Sequence, residues 1–218
     1  MILCVLGLVG CEPRCQKFYY PILSFNMFPA NRDTINVGDT LWLRSDTKSV
    51  LNDWWDNETR QYINFNFIMN ICARKIVDTT VHKYGYVEAI DKFDVGTKLG
   101  TLRQINNTSY RLTLLYENEQ YKFLGYIIPK DTGLYAFDIP TDLITSGTLG
   151  SPFKKIEITD TKCEELLRRV MIQINNGVTK KYLLDGKYKF FYSPLSASSN
   201  KIQSWCYQNS SYYFYVKR

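Results

Sequence analysis

The chain is poor in the side chains that usually carry catalysis. His82 is its only histidine. It stands in Thr79-Thr80-Val81-His82-Lys83, an apolar/polar alternation that reads as a strand with a surface or half-buried imidazole. Nucleophilic catalysis needs a base and an orienting group around the nucleophile. No G-x-S-x-G, H-E-x-x-H or phosphate-loop spacing supplies that set. Glu164 and Glu165 pair two carboxylates, but they open a segment that reads as a helix, where acidic residues suit the dipole. One histidine and no CxxC pair make a zinc site an unsupported reading, and no metal or cofactor is expected. The sequence therefore does not read as an enzyme. It offers aromatic surface instead. Trp42, Trp54, Trp55 and the seventeen tyrosines can furnish large rigid contact faces. Trp54 and Trp55 are the candidate ligand-binding residues; the competing reading splits them between core and solvent as neighbours on one strand.

A different chemistry is written at the N-terminus. Every residue from 2 to 10 is apolar or glycine. A transmembrane helix needs about 20 such residues, and a signal peptide's apolar region roughly 7–15. The run ends in Leu8-Val9-Gly10-Cys11 and breaks at once into Glu12-Pro13-Arg14. This layout resembles the lipobox of bacterial lipoproteins, residue by residue. The resemblance implies that 1–10 is a signal peptide, with Leu8 filling an apolar pocket of the processing enzymes and Gly10 leaving room for cleavage. It makes Cys11 the lipidation site, since only a thiol can form the thioether to diacylglycerol. Three acyl chains would then hold the protein on the membrane, where one chain alone gives marginal binding. The positive region expected before the apolar run is missing, because Ile2 directly follows Met1. Either the start codon lies upstream, or the segment is a buried N-terminal strand with two free cysteines.

Of six cysteines, Cys4 falls in the signal and Cys11 carries the lipid. Cys15, Cys72, Cys163 and Cys206 remain, and four cysteines in an oxidising compartment allow three pairings. Cys163 with Cys206, closing the C-terminal region on itself, is the disulfide candidate; buried free thiols are the alternative. Hydrophobic residues make up 45% and aromatics 15% of the chain, which excludes a disordered protein and favours pleated, half-buried surfaces. The net charge of +6 comes as scattered pairs, Lys154-Lys155, Arg168-Arg169 and Lys180-Lys181, among acidic neighbours. Nucleic-acid binders cluster such charge on one face, so no nucleic-acid partner is expected.

The elements that must position these residues are mostly strands. Pro13, Pro21 and Pro29 break 11–30 into a lipidated cysteine and tether. From 35 to 43 apolar residues alternate on both sides of Gly38-Asp39, and Ile63-Asn64-Phe65-Asn66-Phe67 alternates with asparagine on the wet face. Residues 111–116 and 121–123 flank 117–120, which reads as a four-residue hairpin loop. Thr145-Ser-Gly-Thr-Leu-Gly-Ser-Pro152 reads as a linker (145–152). Beyond it, Thr161-Lys-Cys-Glu164 forms a capping box, and Leu166, Leu167, Val170, Met171 and Ile174 share one helical face up to Asn175-Asn176-Gly177. Asp185-Gly186 marks a tight hairpin, and 212–216 a last strand.

Asp131-Thr132-Gly133-Leu134-Tyr135-Ala136-Phe137 resembles the D-x-G-x-Y-x-C corner of immunoglobulin-like domains. Tyr135 matches the corner tyrosine, whose hydroxyl bonds back to the backbone. Phe137 stands where the cysteine would be, and Gly38-Asp-Thr-Leu-Trp-Leu-Arg-Ser45 resembles the turn into strand B, again without cysteine. Trp54 or Trp55 would take the place of the strand C tryptophan. The resemblance implies a mainly β protein: an antiparallel immunoglobulin-like β-sandwich over 31–144, followed by a smaller α+β region with one helix over 153–218. The lipobox, the proline-broken tether and the I-N-V-G-D-T-L-W-L strand together are similar to uncharacterised cell-envelope lipoproteins of Bacteroidota. That likeness implies an outer-membrane location. The acidic run such proteins carry after the cysteine for surface display is absent from Glu12-Pro-Arg-Cys-Gln16, so the periplasmic and surface sides both stay open. The expected role is a membrane-anchored structural or assembly protein of the envelope, with a glycan- or ligand-binding lipoprotein using an aromatic platform as the alternative.

Overall fold

The computed structural model describes residues 16–29, 32–77, 85–139, 154–155, 164–167, 170–177 and 209–218. Cys11 and the signal 1–10, His82, the linker 145–152, Cys163, Cys206 and the Asp185-Gly186 hairpin lie outside them. The chain is mainly β. Its strands are β1 (Gln16–Tyr19), β2 (Ile22–Phe28), β3 (Thr34–Asn36), β4 (Leu41–Lys48), β5 (Val50–Asn52) and β6 (Thr59–Gln61). There follow β7 (Ile68–Ile76), β8 (Tyr86–Glu88), β9 (Phe93–Leu99), β10 (Thr101–Asn106), β11 (Ser109–Thr113) and β12 (Leu115–Glu117). The last six are β13 (Gln120–Pro129), β14 (Gly133–Asp138), β15 (Lys154–Lys155), β16 (Glu164–Leu167), β17 (Met171–Ile174) and β18 (Ser211–Lys217).

Two large sheets dominate. The first runs β10-β11-β7-β14-β18-β3, with β8 also on β7; the second runs β12-β13-β4-β2-β17, with β9 also on β13. Antiparallel pairing prevails, but β3 lies parallel to β18 and β17 parallel to β2. Strict period-2 burial builds the layers. Along β13 the odd-numbered residues, among them Tyr121, Phe123 and Ile127, turn inward and the even-numbered ones outward. Leu23, Phe25 and Leu43 of the second sheet share one apolar core with Ile71, Tyr135 and Phe214 of the first. The Phe93 ring meets Tyr135 edge-on at 4.9 Å across that core. At the foot of β14 the Tyr135 hydroxyl donates to the backbone oxygen of Asp131 at 3.3 Å, as the sequence motif led one to expect. Burial pushes that phenol up to about 12.

Several local expectations need correcting. The helix over 164–174 is not found: Glu164–Leu167 and Met171–Ile174 are strands. Val170, Ile172 and Ile174 are all β-branched and all enter the main core at period 2. Met171 points the other way onto Tyr20. The apolar spacing fits both periods, and pairing of β16 with β1 and of β17 with β2 decides between them. Of the described parts of 153–218, β17 and β18 enter the same two sheets as 31–144, β18 sitting between β14 and β3, while β15 and β16 form a separate three-stranded sheet with β1.

Residues 63–67 are not a strand. Asn64 takes a left-handed φ of 47°, and Ile63 is 68% exposed, while Phe65 and Phe67 fold back onto Tyr62. The hairpin after β12 closes on two residues rather than four, Asn118 and Glu119, both with positive φ as a type I′ turn demands. The strands on either side of Gly38-Asp39 do not pair with each other. The turn instead carries the chain from one sheet to the other, with Gly38 at φ 88° and the Asp39 carboxylate accepting from Asn36 N–H.

Candidate functional site

Trp54 and Trp55 occupy a turn, not a strand, so neither stands on β7 as a core tryptophan. The turn is organised by one buried carboxylate. Asp53 accepts the backbone N–H of Tyr20 at 2.6 Å and that of Trp55 at 2.8 Å. Its own N–H donates to Glu58 O, and Asn57, at φ 59°, returns its N–H to Asp53 O. Arg60 on β6 closes the far side. Its guanidinium lies 4.1 Å over the Tyr19 ring and grips Asp56 through both terminal nitrogens, with Glu58 at 2.7 Å. Hydrogen bonding to Arg60 holds the Asp56 carboxyl below the usual carboxylate range.

The aromatic rings at this turn do not form a flat platform. Tyr20, itself buried, meets Trp54 edge-on at 6.3 Å and Trp55 at 6.2 Å with a 32° tilt, and the two indoles are tilted 51° to each other. Trp54 is half-buried, and only Trp55, at 65%, is broadly exposed. Below them the Tyr62 hydroxyl is buried without a hydrogen-bond partner, and burial raises its pKa.

A second aromatic surface lies on the outward face of the second sheet. Leu41 and Leu43 point inward, so Trp42 between them points out. Register then places Phe28 of β2, Trp42 of β4, Tyr126 of β13 and Gly96 of β9 in one row across four strands. The Trp42 and Tyr126 rings pack edge-to-face at 5.6 Å. Gly96 is where the row needs no side chain: a methyl group there would fall inside the Tyr126 ring, which lies across it. Phe28 is 42% exposed, and Trp42 and Tyr126 are half-exposed. Asn26 and Arg44 form the next row, where Arg44 pairs with Asp46, and Asp94 meets Lys130 at 3.1 Å on the other side. The row thus has an apolar floor and a polar rim.

Sequence reasoning had Trp42 among its aromatics but could not join it to Phe28 and Tyr126. Only strand alternation hinted at this, since a shared face is visible in sequence and a shared register is not. Cys72 is a free, buried thiol on β7, pushed up to about 12 by burial, so it is no nucleophile at neutral pH. Among the described residues, no group of three or more His, Cys, Asp or Glu side chains converges as on a metal. No helix among them is long and apolar enough to cross a membrane. No protein-family model matches the chain, and no curated protein matches it.

Proposed function

We propose that this is a lipid-anchored interaction module of the bacterial cell envelope, with an immunoglobulin-like β-sandwich that binds carbohydrate on its Phe28–Trp42–Tyr126 face. The aromatic row carries this reading. Three ring systems at neighbouring strand positions, set about 4.8 Å apart by the sheet, offer faces to the C–H groups of a pyranose. Asn26, Arg44 and Asp94 at the rim offer polar groups to its hydroxyls.

The immunoglobulin-like assignment is supported by strand order. Strands β9, β13, β4 and β2 stand as D, E, B and A, and β18, β14 and β7 as G, F and C. The Tyr135 hydroxyl bond sits where that fold has its tyrosine corner. The anchor rests on Leu8-Val9-Gly10-Cys11. Affinity electrophoresis of the full chain through gels containing envelope polysaccharide tests the ligand: retardation that vanishes in Trp42→Ala supports the reading, and equal mobility with and without polysaccharide removes it. Intact mass of the membrane-extracted chain tests the anchor separately, through the presence or absence of diacylglycerol and acyl mass on Cys11.

One observation favours a second reading, an assembly subunit that pairs strands with a partner. Strand β10 is an edge of the first sheet, and five of its six residues are exposed. Co-purification of a stoichiometric envelope partner, lost when a proline replaces Leu102, would select this reading over carbohydrate binding.

A further inference from the structure

The outward face of the first sheet treats its arginines in two ways. Arg74 on β7 is balanced by carboxylates. Its guanidinium lies 3.3 Å from Asp138 and 3.7 Å from Glu88, with the Tyr86 ring at 4.9 Å. Burial opposes its charge, and the field of Asp138 overrides that and raises its pKa. Arg103 on β10 and Arg111 on β11 have no such balance. They are directly opposite in the antiparallel pair, and Arg111 is opposite Asn70 on β7. Leu102 and Leu112 turn to the core, so both arginines share the outward face.

Directly opposed side chains on one face have Cβ atoms about 4.5–5.5 Å apart, and like charges so placed destabilise the pair. Among the described residues neither arginine forms an ion pair. The Nε of Arg111 is also buried without a hydrogen-bond partner. Arg74 also has a buried Nε without a hydrogen-bond partner, so the distinguishing feature of the Arg103–Arg111 pair is two register-opposed guanidinium side chains on one face with no ion pair to either among the described residues.

We infer that Arg103 and Arg111 form a binding site for a tetrahedral oxyanion, a phosphate or sulfate group carried by a ligand. Shape selects this class over a carboxylate, and for phosphate charge does so too. A carboxylate has one charge and two oxygens, which a single guanidinium fork satisfies. A phosphate or sulfate ester has three free oxygens to bridge two forks, and a phosphate monoester also has close to two charges to neutralise them. The Asn70 amide, next in the row, is placed to add a neutral donor. The site is on the opposite sheet from the Phe28–Trp42–Tyr126 row and is independent of it.

The test is calorimetric titration of the full chain with inorganic phosphate, sulfate and acetate in turn, at ionic strength held constant with chloride. Phosphate or sulfate is expected to bind saturably, and acetate more weakly by at least tenfold. The arm that binds more tightly identifies which ester the ligand carries. Arg103→Gln should weaken the binding about tenfold, the factor for losing one charge-assisted hydrogen bond, and the double variant with Arg111→Gln should abolish it. Lys48→Gln, an exposed charge on the other sheet, should change nothing. Without anion, Arg103→Gln should also raise the melting midpoint by relieving repulsion. Because Arg103 is exposed, this variant stays informative if Arg111→Gln fails to fold. Heats that rise linearly without saturating, survive in the double variant, or are as strong with acetate would overturn the assignment.

Discussion

The two aromatic surfaces of this protein are built in opposite ways. The Trp54–Trp55 turn gathers rings that are adjacent in sequence and lets the backbone set their angles. The Phe28–Trp42–Tyr126 row gathers rings separated by 14 and 84 positions and lets the sheet align them. In the turn, one carboxylate, Asp53, holds the geometry through the backbone N–H groups of Tyr20 and Trp55 and, at 3.4 Å, that of Asp56. In the row, Trp42 stands between the core residues Leu41 and Leu43, and Phe28 and Tyr126 each adjoin one, Met27 and Ile127, so the sheet fixes their positions. Groups carried on strands are held more precisely than groups on loops. Adjacency in sequence thus marks a conspicuous aromatic pair, and register makes the better surface.

The largest effect should come from breaking the turn. Asp53→Ala strands the Tyr20 and Trp55 N–H groups in a buried setting, and roughly 2–4 kcal/mol of stability should be lost. Denaturant midpoints would check this, and tryptophan emission should shift as Trp54 and Trp55 loosen. The row should keep its ligand affinity in that variant as long as the chain is folded.

The buried phenols come next. Tyr121→Phe removes a hydroxyl that donates to Tyr62 O at 2.8 Å and accepts Phe65 N–H at 2.8 Å, so about 1–3 kcal/mol should be lost. Tyr62→Phe removes a buried hydroxyl with no partner and should be neutral or slightly stabilising. Equal losses in the two variants would contradict these hydrogen-bond assignments.

Gly96→Ala sharpens the comparison from the row's side. The new methyl displaces the Tyr126 ring, but only its half-exposed far end has to move, so the stability cost should stay below about 1 kcal/mol. Ligand affinity should nevertheless fall several-fold, because the ring leaves the row. Unchanged affinity would show that Tyr126 takes no part in binding.

The smallest effect is electrostatic. Asp56 has a folded-state pKa below its ordinary 3.8, so its pairing with Arg60 contributes stability above that value and loses it as pH falls through the lowered one. Its side chain is 36% exposed, and solvent screening limits the gain to about 0.5 kcal/mol. Asp56→Asn should remove that small acid-side slope and leave stability unchanged only once pH is below the lowered pKa, as thermal melts across pH would read.

These contrasts also explain what the sequence disclosed. Tyr135 was legible because its corner is a local motif, four residues from hydroxyl to acceptor. Strands such as β4 and β13 were legible because alternation is local too. The 164–174 segment misled because Leu166, Leu167, Val170, Met171 and Ile174 satisfy a helical stripe, while the β-branched series Val170, Ile172 and Ile174 satisfies a strand. Only distant partners settle the choice, β1 for 164–167 and β2 for 171–174. The Phe28–Trp42–Tyr126 row and the Arg103–Arg111 pair were hidden for the same reason. Both are products of cross-strand register, which no window of sequence contains.

The most direct test of the account is the carbohydrate affinity of Trp42→Ala beside Trp55→Ala, measured by affinity electrophoresis in envelope polysaccharide. The account predicts that Trp42→Ala abolishes retardation and Trp55→Ala leaves it intact. Retardation lost in Trp55→Ala and kept in Trp42→Ala would place binding on the turn and contradict it.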